Sequence, residues 1–282
     1  MKAEQLTEAV ADHGEGPVWA PEWAGLRWVD MLAGDVLHLE PSGEIGRWHV
    51  GPVAAALRPR TAGGMVIATE HDFVVADAPG EEPRLLATAL TDPAIRLNEG
   101  GCDPQGNFYC GTMAYDETPG AGTLYLLRPD GDVSTVLTGV TISNGLAWSP
   151  DGTRAFYVDT PTGRVDVFDH DSATGLHNRR PFVTIPADAG HPDGLTVDAE
   201  GGIWVALWDG AAVRHYSAAG ALESVVQLPV RNITACAFGG ERLDELFITT
   251  SRHGDADPHP AAGALFRVTP GVQGLPVAPF AG

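Results

Sequence analysis

Residues 142–152 read ISNGLAWSPDG and hold two turn signals, Asn144-Gly145 and Pro150-Asp151-Gly152. A β-hairpin needs one turn between two strands. The second signal is followed by the apolar run AFYV, so SPDG reads as the hairpin and Asn144 needs another explanation. Working outward, the same arrangement recurs. A turn followed by a hydrophobic strand appears as AGLRWVD, GGMVIAT, QGNFYCGT, DGTRAFYVDT, GGIWVALW and RLDELFITT. A second unit, an apolar run ending in a polar or glycine-rich turn, follows each: GDVLHLEPSGEI, HDFVVADAPGEE, GTLYLLRPDGDV, GRVDVFDHDSATG, AAVRHYSAAGAL and GALFRVTPGV.

Six copies at spacings of roughly 35 to 52 residues suit the four-stranded blades of a propeller. Alternating β-branched and aromatic residues favour strands, and helical periodicity is nearly absent. The expected fold is all-β, a six-bladed β-propeller occupying residues 1–282 as one domain. A two-sheet sandwich would not call for six matched units. The segment QLTEAVAD near the N-terminus is expected to pair with the C-terminal blade, closing the ring and hiding a sheet edge.

Bulk composition agrees. Of 282 residues 44% are hydrophobic and 19% charged, enough for a large core, and 35 glycines and 22 prolines are spread along the chain with no linker-like bunching. The formal net charge of −20 argues against nucleic acid or an anionic membrane as partner and favours cations. Cys102, Cys110 and Cys236 show no metal-ligand pairing. No signal peptide or membrane-length apolar run is visible, so a reducing cytoplasm is the expected compartment.

The turn glycines set the register of the repeats. Eight residues before Gly106 of DPQG, Gly152 of SPDG and Gly201 of DAEG stand Asn98, Asn144 and Asp193. The first blade has a longer turn ending at Gly25, and its matching residue is Glu15. In the other two blades the position falls on or near Ala55 and Thr234, which contribute little. These positions begin the innermost strands, which surround the channel of a propeller. Glu15, Asn98, Asn144 and Asp193 are therefore expected to meet at one end of it. Each Asn-Gly or Asp-Gly taken alone reads as turn chemistry. Turn chemistry does not ask for Glu15, however, and two carboxylates held together repel unless protonated or bridged by a cation. An oxygen-only donor set suits calcium first, then magnesium or manganese, with zinc or ferrous iron open where water completes the shell. So few protein donors leave open positions, as in a catalytic site.

GEGPVW, RLNEGGCDPQGNFYCGTM, ISNGLAWSPDG, HPDGLTVDAEGGIWVALWDG and the ending GVQGLPVAPFAG together resemble the senescence marker protein (regucalcin), gluconolactonase and luciferin-regenerating family, over nearly the whole chain. The resemblance implies a six-bladed propeller with one divalent cation in the channel. It implies metal ligands at Glu15, Asn144 and Asp193, substrate contacts at Arg96 and Asn98, and hydrolysis of a small-molecule sugar lactone. Two positions depart from the family pattern. Glu99-Gly100-Gly101 stands where Asp-Gly-Lys is common, so a nearby cation is missing, and Asp116 stands where a longer glutamate touches substrate.

Asp193 is the candidate general base, taking a proton from water and returning it to the departing ring oxygen. Arg96, two residues before Asn98, is expected to face the channel mouth and bind sugar hydroxyls or the developing oxyanion. His13 and His191 read either as partners of the metal ligands or as solvated loop residues. Trp19, Trp148, Trp204 and Trp208 read mostly as packing between blades. DETPGAG (116–122) reads as a lid or a plain loop, and residues 251–263 as a blade-closing loop without chemistry. A non-enzymatic calcium-binding regulator and an esterase of another class are the competing functions.

Overall fold

The computed structural model describes residues 1–40 and 42–282. They form six four-stranded antiparallel sheets, with four short 3-10 turns and no longer helix among the described residues. The innermost strands, in chain order, are Gly14–Ala20, Ala56–Pro59, Ile95–Cys102, Ser143–Trp148, His191–Val197 and Asn232–Gly239. Each packs against the innermost strands of the blades before and after it, and the sixth packs on the first, so the sheets close into a ring. The expected six-bladed propeller is what the chain forms.

The turns act as their composition predicts. Gly106, Gly152 and Gly201 carry φ of 80°, 69° and 83° and turn the inner hairpins of the third, fourth and fifth blades. In two of these hairpins an aspartate braces the loop. The Asp103 carboxylate accepts the N–H groups of Gln105 and Asn107, and the Asp198 carboxylate those of Glu200 and Gly202. Behind the inner strands, blade faces interlock through fully buried side chains such as Trp28, Phe73, Phe108, Phe156 and Trp204. Burying a side chain of this size contributes on the order of 2–3 kcal/mol.

Both chain ends serve the ring. Glu4–Gln5 adds the outermost strand of the sixth blade, pairing with Phe266–Val268 in the register Glu4↔Arg267 and Gln5↔Phe266. Closure by the N-terminal segment is as expected. The strand itself is only two residues long, and the rest of QLTEAVAD hydrogen-bonds as a loop to Gly263 and Leu265. Removing residues 1–7 is expected to bare the edge of Phe266–Val268, lowering Tm by about 5 °C or more and promoting aggregation. Calorimetry with light scattering checks this.

The C-terminal tail runs across the opposite side of the ring. Phe280 is fully buried and its backbone N–H donates to Pro59 O, while the N–H of Ala281 donates to Gly106 O. No helix among the described residues is long and apolar enough to cross a membrane.

Candidate active site

The puzzle of Asn144-Gly145 is resolved by the pairing of the innermost strands. In the fourth blade the register shifts between Ser143 and Leu146, so Asn144 and Gly145 form a β-bulge, not a hairpin turn. Equivalent shifts fall between Glu15 and Val18, Leu97 and Gly100, Pro192 and Leu195, and Ile233 and Ala235. A bulge leaves residues unpaired and re-aims their side chains. Here it frees Asn98, Asn144 and Asp193 to face the cavity, while in the first blade the bulge falls one residue later and Glu15, still paired with Val29, stands at its edge. The glycine after the polar residue has its own cause. A Cβ on Gly145 would stand 2.5 Å from Leu195 N and 2.9 Å from Asp193 O, and one on Gly194 would stand 2.5 Å from Ala235 Cβ. Only glycine lets neighbouring inner strands approach this closely.

Glu15, Arg96, Asn98, Asn144 and Asp193 line one cavity of about 430 Å³ at the channel mouth. Asp116 does not. It is exposed, with its carboxylate accepting the N–H and hydroxyl of Thr118 in a tight local turn. That turn presents the next residue inward: Glu117, at φ 56°, lines the cavity in its place. Ala55 and Thr234 add nothing to the cavity, as expected; Thr234 Oγ1 donates to Gly14 O at 2.6 Å.

The five lining residues have distinct environments. Glu15 is buried, with Oε2 accepting the Gly16 N–H at 2.8 Å, and burial pushes it up to about 7 against the partial relief of that bond and of Arg96. Asp193 is buried with Oδ1 unpartnered, and burial, then the charges of Glu15 and Glu99, raise it well above the ordinary carboxylate range. Asn144 Nδ2 donates to Thr160 Oγ1 at 2.9 Å, which leaves its Oδ1 facing the Nδ2 of Asn98 at a long 3.4 Å. Asn98 Nδ2 also donates to Ser143 O at 2.8 Å and its Oδ1 accepts Arg96 Nη1 at 2.6 Å. Arg96 is buried with no carboxylate partner among the described residues, held by Leu97 O, the Met31 and Met113 sulfurs and the face of Tyr115.

These residues fit a divalent cation. Two carboxylates whose neutral forms are favoured first by burial, and for Asp193 also by the charge of Glu15, one of them with an unpartnered oxygen, are a donor set that a divalent cation would neutralise. Among the described residues no three His, Cys, Asp or Glu side chains gather closely enough to hold a metal by themselves. The set therefore depends on the Asn144 amide oxygen and on water to complete its shell.

The remaining walls were only partly legible. His13 lines the cavity with Nδ1 on Ser251 Oγ at 2.8 Å, and burial, then Arg96 and His253, push it down to about 3, so it stays neutral. His191 also lines it, from an exposed position. Trp208 sets its edge on His13 from the cavity wall and is not confined to packing between blades. His253, in the loop assigned no chemistry, is a wall residue too, as are Tyr115 and Thr160. The shared bulge register marked none of these, because His13 and His191 sit at the entry to inner strands, ahead of the bulge, and Tyr115, Thr160, Trp208 and His253 lie at or just past the ends of second strands.

Known proteins share this arrangement of sequence. The chain is 35% identical over 292 aligned positions to regucalcin of Danio rerio, covering 100% of this chain and 99% of that one. It is 36% identical to a pentonolactonase of Haloferax volcanii, covering 98% and 97%. A solved structure of a calcium-binding regucalcin from Agrobacterium tumefaciens superposes with a TM-score of 0.93 at 28% identity, covering 99% of this chain and 97% of that one. The sequence pattern of the SMP-30/Gluconolactonase/LRE-like region matches residues 13–252, and the chain belongs to that family.

Proposed function

We propose that this protein is a lactonase that uses a divalent cation, held by Glu15, Asn144 and Asp193, to open a small sugar lactone to its hydroxy acid. One observation carries the reading. A buried acidic pair with an unpartnered Asp193 oxygen and a buried guanidinium without a carboxylate share one cavity. The lactonase class is supported by membership of the family and by the pentonolactonase of Haloferax volcanii.

The chemistry follows from the side chains. A divalent cation bound there supplies Lewis-acid polarisation of the lactone carbonyl. Asp193 accepts a proton from the attacking water as the water oxygen bonds to the carbonyl carbon. It then returns the proton to the ring oxygen as the ring C–O bond breaks, so water adds across that bond with no other reactant. Arg96 is placed to receive the charge growing on the carbonyl oxygen. Its bond to Asn98 Oδ1 fixes the guanidinium, while the Asn98 and Asn144 amides orient sugar hydroxyls and ligand respectively. The cavity of about 430 Å³ lies within the range of small-molecule sites. Calcium is the favoured ion for an all-oxygen set.

The test is acid release from a panel of five- and six-membered sugar lactones and an aryl ester, with and without chelator. Lactone turnover that chelator abolishes and added calcium, manganese or zinc restores is the expected result. Turnover indifferent to exhaustive chelation removes the cation from the mechanism. Cation uptake without any turnover favours a binding protein, as the Agrobacterium tumefaciens relative is described.

A further inference from the structure

A third carboxylate stands in the channel besides Glu15 and Asp193. Glu99 shares the bulge with Asn98 but is turned the other way: Asn98 lines the cavity, whereas Glu99 lines a second chamber of about 160 Å³ deeper in the channel. Leu275, Pro276, Val277 and Ala278 of the C-terminal tail line that chamber too. Glu99 is buried and its Oε2 has no hydrogen-bond partner. A carboxylate in that position is costly unless a charge compensates it.

The compensating group comes from another blade. Arg58, on the inner strand of the second blade, reaches into the same chamber and donates through Nη1 to Leu57 O at 2.6 Å and through Nη2 to Gly100 O. It makes no direct ion pair among the described residues. Gly101 lies beside it, where a Cβ would stand 2.7 Å from Leu146 O of the next blade. Arg58 draws Glu99 toward its ionised form, against the larger effects of burial and of Glu15. The buried channel carboxylates are thus three, Glu15, Asp193 and Glu99, with the exposed Glu117 at the rim of the upper cavity, and two guanidiniums face them, Arg58 below and Arg96 above.

We infer that Glu99 and Arg58 are a through-space charge pair that sets how tightly the site above them holds its cation, without either touching cation or lactone. The inference rests on the cation-site reading given above. Between buried side chains, unit charges act over several ångströms. Glu99 attracts a cation at Glu15 and Asp193, and Arg58 repels it. A cation held above favours the ionised form of Glu99, which then attracts it while Arg58 repels it, so removing one group or the other shifts affinity in opposite senses.

Calorimetric titration of the cation-free protein with calcium chloride alone separates this from a packing role. Glu99→Gln, which leaves Arg58 uncompensated, is expected to weaken calcium binding about tenfold or more. Arg58→Met is expected to bind calcium more tightly than the parent, and the double variant to return close to the parent. Glu99→Asp and Arg58→Lys keep the charges and are expected to bind like the parent. Should Glu99→Gln fail to fold, the two Arg58 variants decide alone: weaker binding by Arg58→Met than by Arg58→Lys overturns the inference. Single losses of the same sign that add in the double variant, or parent affinity throughout, also overturn it. A parent protein that takes up no calcium or manganese sinks the site reading itself, and this inference with it.

Discussion

Asp193→Asn is expected to lower kcat for lactone hydrolysis by about a thousandfold, in the range for loss of a positioned general base. The change is nearly isosteric, so the cavity keeps its shape while the residue that handles the proton can no longer accept one. The same substitution removes one of the two ligand carboxylates, so cation affinity falls as well. Saturating cation separates the two effects. Rate recovered at high cation makes Asp193 a ligand only; a rate that stays down assigns it the proton. Folding is not expected to suffer. Asp193 Oδ1 is buried without a partner, and an amide at this place carries no charge to be repelled by Glu15 and Glu99. Cation-free Asp193→Asn is therefore expected to melt at or above the parent temperature at neutral pH. Near-parent kcat in a folded, cation-loaded variant would remove Asp193 from the mechanism.

Why Asp193 is legible in the sequence, while Glu99 and Arg58 are not legible as a pair, follows from how the fold uses local and distant information. A blade is a local unit: its strands alternate, its turn glycines need positive φ, and eight residues separate Gly201 from Asp193 as they separate Gly152 from Asn144. The same spacing finds Asn98, and allowance for the longer first turn finds Glu15, whereas the sixth-blade bulge at Thr234 has Arg242 and not a glycine eight residues on. Arg58 meets Glu99 across two blades, and no spacing within either blade encodes that meeting. The sequence shows Glu99 only as a departure from a pattern. Asp116 shows the finer limit. A turn built on its own carboxylate rotates the chain so that Glu117 faces the cavity, a one-residue displacement that the shared register cannot detect. The ending GVQGLPVAPFAG is recognisable as a motif, yet its use as the lining of the far chamber depends on Phe280 docking at Pro59.

The cation-free protein is expected to lose stability steeply as pH rises above about 6.5, and bound cation to remove that slope. The sign follows from the acids of the channel. Glu15 is raised from its ordinary 4.5 to about 7, and Asp193 and Glu99 are raised well above the ordinary carboxylate range, first by burial. A carboxyl raised in the folded state holds a proton that its unfolded counterpart has lost. Its stabilising effect is complete at low pH and is lost as pH climbs through the folded value, at up to about 1.4 kcal/mol per pH unit for each group. His13 works the opposite way, because a base depressed from 6.5 to about 3 costs stability as pH falls below 6.5 and adds nothing further above it. The reading window therefore opens at about pH 6.5, where His13 is silent and the three carboxyls carry the slope. A cation held by Glu15 and Asp193 favours their ionised forms, so excess calcium should flatten the dependence and raise Tm most at the alkaline end. Scanning calorimetry from pH 6.5 to 8.5 with chelator and with calcium reads both. Parallel curves under the two conditions would mean that the acids of the channel do not face a common cation.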